Sequence, residues 1–337
     1  MSASGGTRAI VAALLANMGI AVTKFVAFAL TGSSSMLAEG IHSVADSGNQ
    51  VLLLIGGKRS QRAATPRHPF GYGRERYIYA FIVSIVLFSV GGLFAVYEGV
   101  HKVQHPEPID KWQWVPLVVL AIAITLESLS FRTAIGEANH IRSGAGWVAF
   151  IRHARAPELP VILLEDFGAL VGLMFALFGV GLTLLTGNGV WDGAGTLGIG
   201  VLLVCIAVVL AIETKSLLIG EAARSEQVAA ITAALEAAPG LDRVIHLRTM
   251  HLGPDELLVA AKVATAPGSS ATDVATAIDD AEERIRAAVP IARVIYLEPD
   301  IDRGLSAGTS ADRSAEGSAD GSADRPADGP VGPTADL

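Results

Sequence analysis

The sequence has one cysteine, Cys205, set in an apolar run. That excludes a disulfide within the chain and a thiolate metal cluster. Charge is scarce too: Asp, Glu, Lys and Arg make up 17% of the 337 residues, against about 25% in soluble domains. The formal net charge of −8 argues against nucleic acid as a partner, because phosphate binding needs clustered positive charge. No His-Glu-x-x-His motif is present and no Ser/His pair stands out within an apolar run, so nothing marks the chain as an enzyme, an intramembrane protease included. The opening "MSASGGTRA" is too short and too weakly charged for a cleaved signal, and the first apolar run is expected to be retained.

Apolar residues are abundant, at 51% with a mean hydropathy of +0.48, and they fall in blocks of membrane-spanning length. Roughly 20 helical residues cross the hydrocarbon core. Six candidate spans follow, near 8–31, 36–57, 76–100, 113–134, 160–186 and 194–219. "KRSQRAATPRHPFGYGRERY" after the second span and Arg142, Arg152 and Arg155 after the fourth are strongly basic, whereas the opposite connections offer Lys102 and Lys111. The positive-inside rule therefore puts both termini in the cytoplasm of a multi-pass inner-membrane protein.

Beyond Gly220 the pattern changes. "SEQVAAITAALEAAPG" is periodic as a helix with a Ser cap; "RVIHLRTMHL", "GPDE" and "LLVAAKVAT" read as two strands and a turn. A second amphipathic helix, "SATDVATAIDDAEERIRAAV", precedes a third strand, "ARVIYLEP". The expected organisation is a six-helix transmembrane bundle over 1–220 and a small cytoplasmic αββαβ domain of ferredoxin-like, metallochaperone-like type over 221–300. The tail 301–337 repeats Ser-Ala-Asp, buries no core and is expected to be disordered.

The second span is the anomaly. "AEGIHSVADSGNQ" carries Glu39, His42, Asp46, Asn49 and Gln50, which at 100° per residue share a stripe about 100° wide. His42 and Asp46, at i and i+4, can aim an imidazole nitrogen and a carboxylate at one point, a donor pair suited to Zn²⁺ and related divalent ions. An ionised carboxylate in mid-bilayer costs about 2.5–3.5 kcal/mol even on the permissive insertion scale, which favours a functional reason for it. The plainer alternative is a helix end at the interface, with Asp46 paired to Lys24.

Two ligands from one helix are insufficient, and "LPVILLEDFGALVGL" in the fifth span supplies Glu165 and Asp166. Adjacent residues diverge by about 100°, so one of them points straight at a shared site. Asp166 is the first choice, with Glu165 ligating, relaying protons or facing another helix. Alternatively both acids merely begin the helix, where negative charge suits the dipole. Glu127 and Glu213 either line the path or pair structurally.

These segments together resemble the cation diffusion facilitator family of divalent-metal transporters. The resemblance spans residues about 7–300 and rests on "GSSSMLAEGIHSVADSGNQ", "HPFGYGRERY", "LLEDFGALVGL", "SLLIGEA" and the αββαβ domain. It implies a homodimeric secondary exporter of Zn²⁺ or a similar ion in exchange for protons, with no cofactor and a transport site at His42, Asp46 and Asp166. Many zinc-selective members carry His-x-x-x-Asp in both spans; here Ile162 stands at the matching position and an acid precedes Asp166. That is similar to a subgroup with Glu-Asp there, which includes a mitochondrial zinc transporter of animals. One imidazole with two or three carboxylates is a harder donor set and admits Mn²⁺, Fe²⁺ or Co²⁺. A sensor or scaffold that binds metal without moving it is the other class of reading.

Accessory roles are expected for Glu39 and Asn49 along the path and for His68 as a loop ligand. His246, His251, Glu298 and Asp300 are expected as a regulatory metal set in the cytoplasmic domain, although five residues between the two histidines put them on opposite faces of a continuous strand.

Overall fold

The computed structural model describes residues 3–31, 34–106, 113–142, 144, 146–266 and 268–300, and the side chains of all these but 3–6, 8, 27–28, 30–31 and 34–42. The tail 301–337 lies outside the described residues. Long helices run over α1 (Ala3–Thr31), α2 (Ser34–Ser60), α5 (Trp114–Ile141), α7 (Glu158–Thr186) and α8 (Val190–Ile219). Another rod joins α3 (Glu75–Val86) to α4 (Phe94–Gln104) through a π-helical stretch, Leu87–Leu93. A short α6 (Trp147–His153), not expected from sequence, breaks the basic fourth connection.

Five of these rods are long and apolar enough to cross a membrane. The sixth, α2, is long enough at 27 residues, but the polar stripe described above lowers its hydropathy. Its place explains the exception: α2 packs against α1 and α3, so Ser43, Ser47, Asn49 and Gln50 are buried against protein. The outward faces are apolar, with Leu15, Phe178 and Ile212 exposed, and with Val44 and Val51 exposed on the other side of α2. Such a distribution suits a bundle whose solvent is hydrocarbon, where backbone polar groups must be satisfied within each helix.

The rod α3–α4 lies very close to α8. A Cβ on Gly99 would stand 2.5 Å from the backbone nitrogen of Leu197, and one on Gly200 2.5 Å from that of Val96. Helices in lipid associate by such close backbone approach, since apolar side chains gain nothing there by leaving solvent.

The C-terminal domain has the expected αββαβ order: α9 (Ser225–Glu236), β1 (Leu241–Gly253), β2 (Glu256–Thr265), α10 (Ala271–Ala288) and β3 (Ala292–Asp300). The sheet order is β1-β2-β3, with β1 and β2 antiparallel and β2 and β3 parallel. The crossover α10 therefore covers one face, and Ile231, Leu235, Leu257, Val259, Val263 and Ile285 form the core. Ser270 caps α10 by accepting from the Asp273 N–H at 3.2 Å. Ser225, expected as the α9 cap, is instead its first residue; Arg224 is the cap, its N–H donating to Gln227 Oε1 at 3.1 Å.

The domain docks on the bundle through the β1–β2 hairpin. Arg76, near the start of α3, donates Nη2 to Glu158 Oε2 at 2.9 Å and Nη1 to Asp255 Oδ2 at 3.1 Å. One guanidinium thus joins α3, α7 and the hairpin tip. Gly73 sits so close beneath the hairpin that a Cβ would meet the Leu252 carbonyl at 2.8 Å. Arg155 pairs with Glu221 at the other side of the seam.

Candidate transport site

α7 begins at Glu158, so Glu165 and Asp166 stand about two turns inside the helix and are not first-turn acids. Both are almost fully enclosed, at 5% and 1% exposure. Helical divergence sends them different ways. Glu165 faces α2: its Oε1 accepts from Asn49 Nδ2 at 3.1 Å and its Oε2 from Gln50 Nε2 at 3.0 Å. Asp166 faces α5, where Ser130 Oγ donates to its Oδ2 at 2.8 Å. The polar stripe of α2 therefore meets the Glu-Asp pair of α7 through Glu165.

Glu165 and Asp46 line a cavity of about 170 Å³ inside the bundle. Lys24 and Glu127 share its wall, and it runs past Glu98 toward Lys102 and Asp192, at the end of the bundle opposite the C-terminal domain. Lys102 and Asp192 pair there at 3.2 Å. Asp46, Glu127, Glu165 and Asp166 all interact electrostatically with one another, and Lys24 with Glu127. Glu127 is 5% exposed and Lys24 7%, with Lys24 Nζ donating to Ser43 Oγ at 3.0 Å. Sequence left Glu127 undecided; the structure puts it on the cavity, while Glu213 sits 3.8 Å from Arg152 near the far end of α8.

A second cavity, about 1060 Å³, lies at the C-terminal-domain end and is lined by Ile10, Leu53, Lys58, Arg76, Glu158 and Asp255 among others. A polar layer separates the two cavities: Asn17 Nδ2 to Gln50 Oε1 at 3.4 Å, then Gln50 to Glu165. Leu53 and Ile162 pack beneath it. In this conformation Asp46 and Glu165 face the end away from the domain.

His42 lies in α2 one turn before Asp46, and Glu39 a turn earlier still; their side chains are outside the described set. Asn49 is in the site as a donor to Glu165. His68 is not: it is exposed in the α2–α3 loop, its ring 4.8 Å from that of Tyr72. Among the described residues, no three His, Cys, Asp or Glu side chains are placed to hold an ion together.

The four residues expected as a set in the C-terminal domain do not converge. His246 and Glu298 occupy one row of the sheet, but Lys262 stands between them, bonding Glu298 at 3.1 Å and Asp300 at 3.2 Å. Those carboxylates hold the Lys262 ammonium above its ordinary range. His246 Nε2 accepts from Arg248 Nε at 2.6 Å. His251 is buried near the seam, its backbone N–H donating to the Glu221 carbonyl at 2.9 Å. Burial keeps its imidazole neutral, pulling the pKa down to about 4.

Comparison with known proteins agrees with this architecture. Residues 10–219 match the cation efflux transmembrane domain and residues 223–300 the cytoplasmic domain of cation efflux proteins. The human mitochondrial proton-coupled zinc antiporter SLC30A9 is 34% identical over 242 residues, 71% of this chain and 42% of that protein. Metal tolerance protein C4 of Arabidopsis thaliana is 27% identical over 258 residues, 76% of this chain and 56% of its own length. A probable cation efflux system protein of Mycobacterium tuberculosis is 30% identical over 156 residues, 46% of each chain. The chain spans about half the length of these relatives. It belongs to the cation efflux family and is a multi-pass membrane protein.

Proposed function

We propose that this member of the cation efflux family exports divalent metal, Zn²⁺ foremost, from the cytoplasm in exchange for protons. The site is formed by His42 and Asp46 of α2 and by Glu165 and Asp166 of α7. The observation that carries this reading is the junction of α2 with α7 at Glu165, which sets Asp46 and Glu165 on the wall of one cavity inside a membrane bundle. Intramembrane carboxylates are costly and mark ion pathways, and imidazole with carboxylates is a donor set for first-row divalent ions.

Coupling follows from the donors. Metal binds a neutral imidazole and ionised carboxylates, so loading expels protons and unloading takes them up. Cavities on either side of the Asn17–Gln50–Glu165 layer supply the two ends of an alternating path. Shifting that layer exchanges access, and the Arg76 junction ties the C-terminal domain to the start of the helix that carries Glu165.

In this reading residues 1–220 are the transport domain and 221–300 a cytoplasmic domain through which two copies pair, followed by the tail 301–337. Both termini lie in the cytoplasm, which the basic connections favour. The printed function of the human relative, a proton-coupled zinc antiporter, supports zinc and protons; the Glu-Asp pair admits Mn²⁺, Fe²⁺ and Co²⁺. The test is flux of each ion, with internal pH recorded, in proteoliposomes holding wild type, Asp46→Ala or Glu165→Ala. Zinc uptake with a matching opposite proton flux, lost in both variants, is expected. Binding without flux would make the protein a sensor.

A further inference from the structure

We propose that Lys24 is a tethered counter-cation: its ammonium neutralises the transport cavity when no metal is present and repels the metal when one arrives. This rests on the transport reading above. Lys24 and Arg8 are the charged residues of α1, and Lys24 stands well inside the span. It is buried, it lines the same cavity as Asp46, Glu127 and Glu165, and it interacts with Glu127.

The hydrogen bond to Ser43 does not by itself account for a lysine. A neutral donor would join α1 to α2 equally well, without the penalty of an ammonium in hydrocarbon. The carboxylates give the charge its use. Asp46, Glu127, Glu165 and Asp166 interact electrostatically, and a fixed cation among them offsets the negative charge that proton uptake leaves in the emptied cavity. Lys102 is engaged by Asp192; among the described residues that line the cavity, the other cation is Lys24. Its stem is anchored in α1, so it stays behind when the transported ion leaves.

A divalent ion entering beside Asp46 and Glu165 meets this ammonium as a like charge. Lys24 therefore weakens binding and hastens release, so a site of several carboxylates does not trap its cargo.

The test compares wild type, Lys24→Gln and Lys24→Arg as full-length protein, by Zn²⁺ titration calorimetry in detergent and initial Zn²⁺ flux in proteoliposomes. Lys24→Gln should bind Zn²⁺ at least about tenfold more tightly, a floor well below what removing one like charge at close range gives in a medium of effective dielectric near 20, and should turn over more slowly. Lys24→Arg should keep both near wild type. Equal impairment in the two variants, or unchanged or weaker binding in Lys24→Gln, would overturn the proposal. If Lys24→Gln does not fold, Glu127→Gln reads the same balance with opposite sign. It should bind Zn²⁺ more weakly, and unchanged binding would overturn the proposal. A wild type that neither binds nor moves Zn²⁺ overturns the transport reading instead.

Discussion

Gln50 donates Nε2 to Glu165 Oε2 at 3.0 Å across 115 residues of sequence. With Asn49 on the other oxygen, the carboxylate of α7 is held by two amides of α2. It is this clasp, rather than a contact through Asp166, that joins the two polar helices. The consequences can be measured.

Glu165→Gln replaces a carboxylate on the cavity wall with an amide that faces two amides. Zn²⁺ binding should fall at least about tenfold, the loss of one charged ligand exceeding about 1.4 kcal/mol. Asp166→Asn should cost less, since Asp166 is held by Ser130 on the side of α5. Calorimetry on the two variants checks the order; Asp166→Asn as the more severe change would reverse the assignment.

Arg76→Gln strands Glu158, which is buried, and should destabilise the protein by about 3–5 kcal/mol, as when one partner of a buried pair is removed. Asp255→Asn should cost under about 1 kcal/mol, because Asp255 is 52% exposed and well screened. Thermal unfolding in detergent gives both values. Amide exchange in the 250–256 hairpin should rise in both variants, since each frees the hairpin from Arg76.

Gly200→Val puts a Cβ and two methyls where Val96 backbone already lies 2.5 Å away. The α4–α8 contact must open, at about 1–3 kcal/mol or more. Gly48→Ala, with nothing within 4 Å, should be neutral to slightly stabilising through helix propensity. A melting-temperature comparison of the two variants is sufficient.

His251 sets a pH dependence for the C-terminal domain. Its folded pKa is about 4 and its unfolded value about 6.5, so between these pH values the unfolded chain binds the extra proton. Stability is full above about pH 6.5 and declines by about 1–3 kcal/mol as pH falls toward 4. Exchange protection of β1 measured at pH 7 and at pH 5 should show the decline. His251→Phe should flatten it, and an equal slope in that variant would remove His251 as the cause.

Much of the fold could be read from local pattern. Apolar blocks of spanning length, and period-two strands around "GPDE", follow from short-range physics: a helix must satisfy its backbone in lipid, and a turn needs its own residue types. Where the expectation rested on longer-range geometry it was less complete. His246, His251, Glu298 and Asp300 are plausible metal donors by type. Sheet register, however, seats Lys262 between His246 and Glu298, and no local signal reports which residue of β2 falls opposite which of β1.

The sequence by itself determined that α2 carries a polar stripe and that α7 carries two adjacent acids within hydrocarbon, because helical periodicity depends only on spacing. Which acid meets the stripe depended on the rotation of α7 against α2 and α5. That rotation is set by side chains more than 100 positions away, through packing of Leu53 and Ile162 and the Asn49 and Gln50 bonds. The same packing brought Glu127 and Lys24 onto one cavity. Charges distant in the chain influence one another only when tertiary structure closes the gap in a low dielectric, so the electrostatic character of the site belongs to the fold.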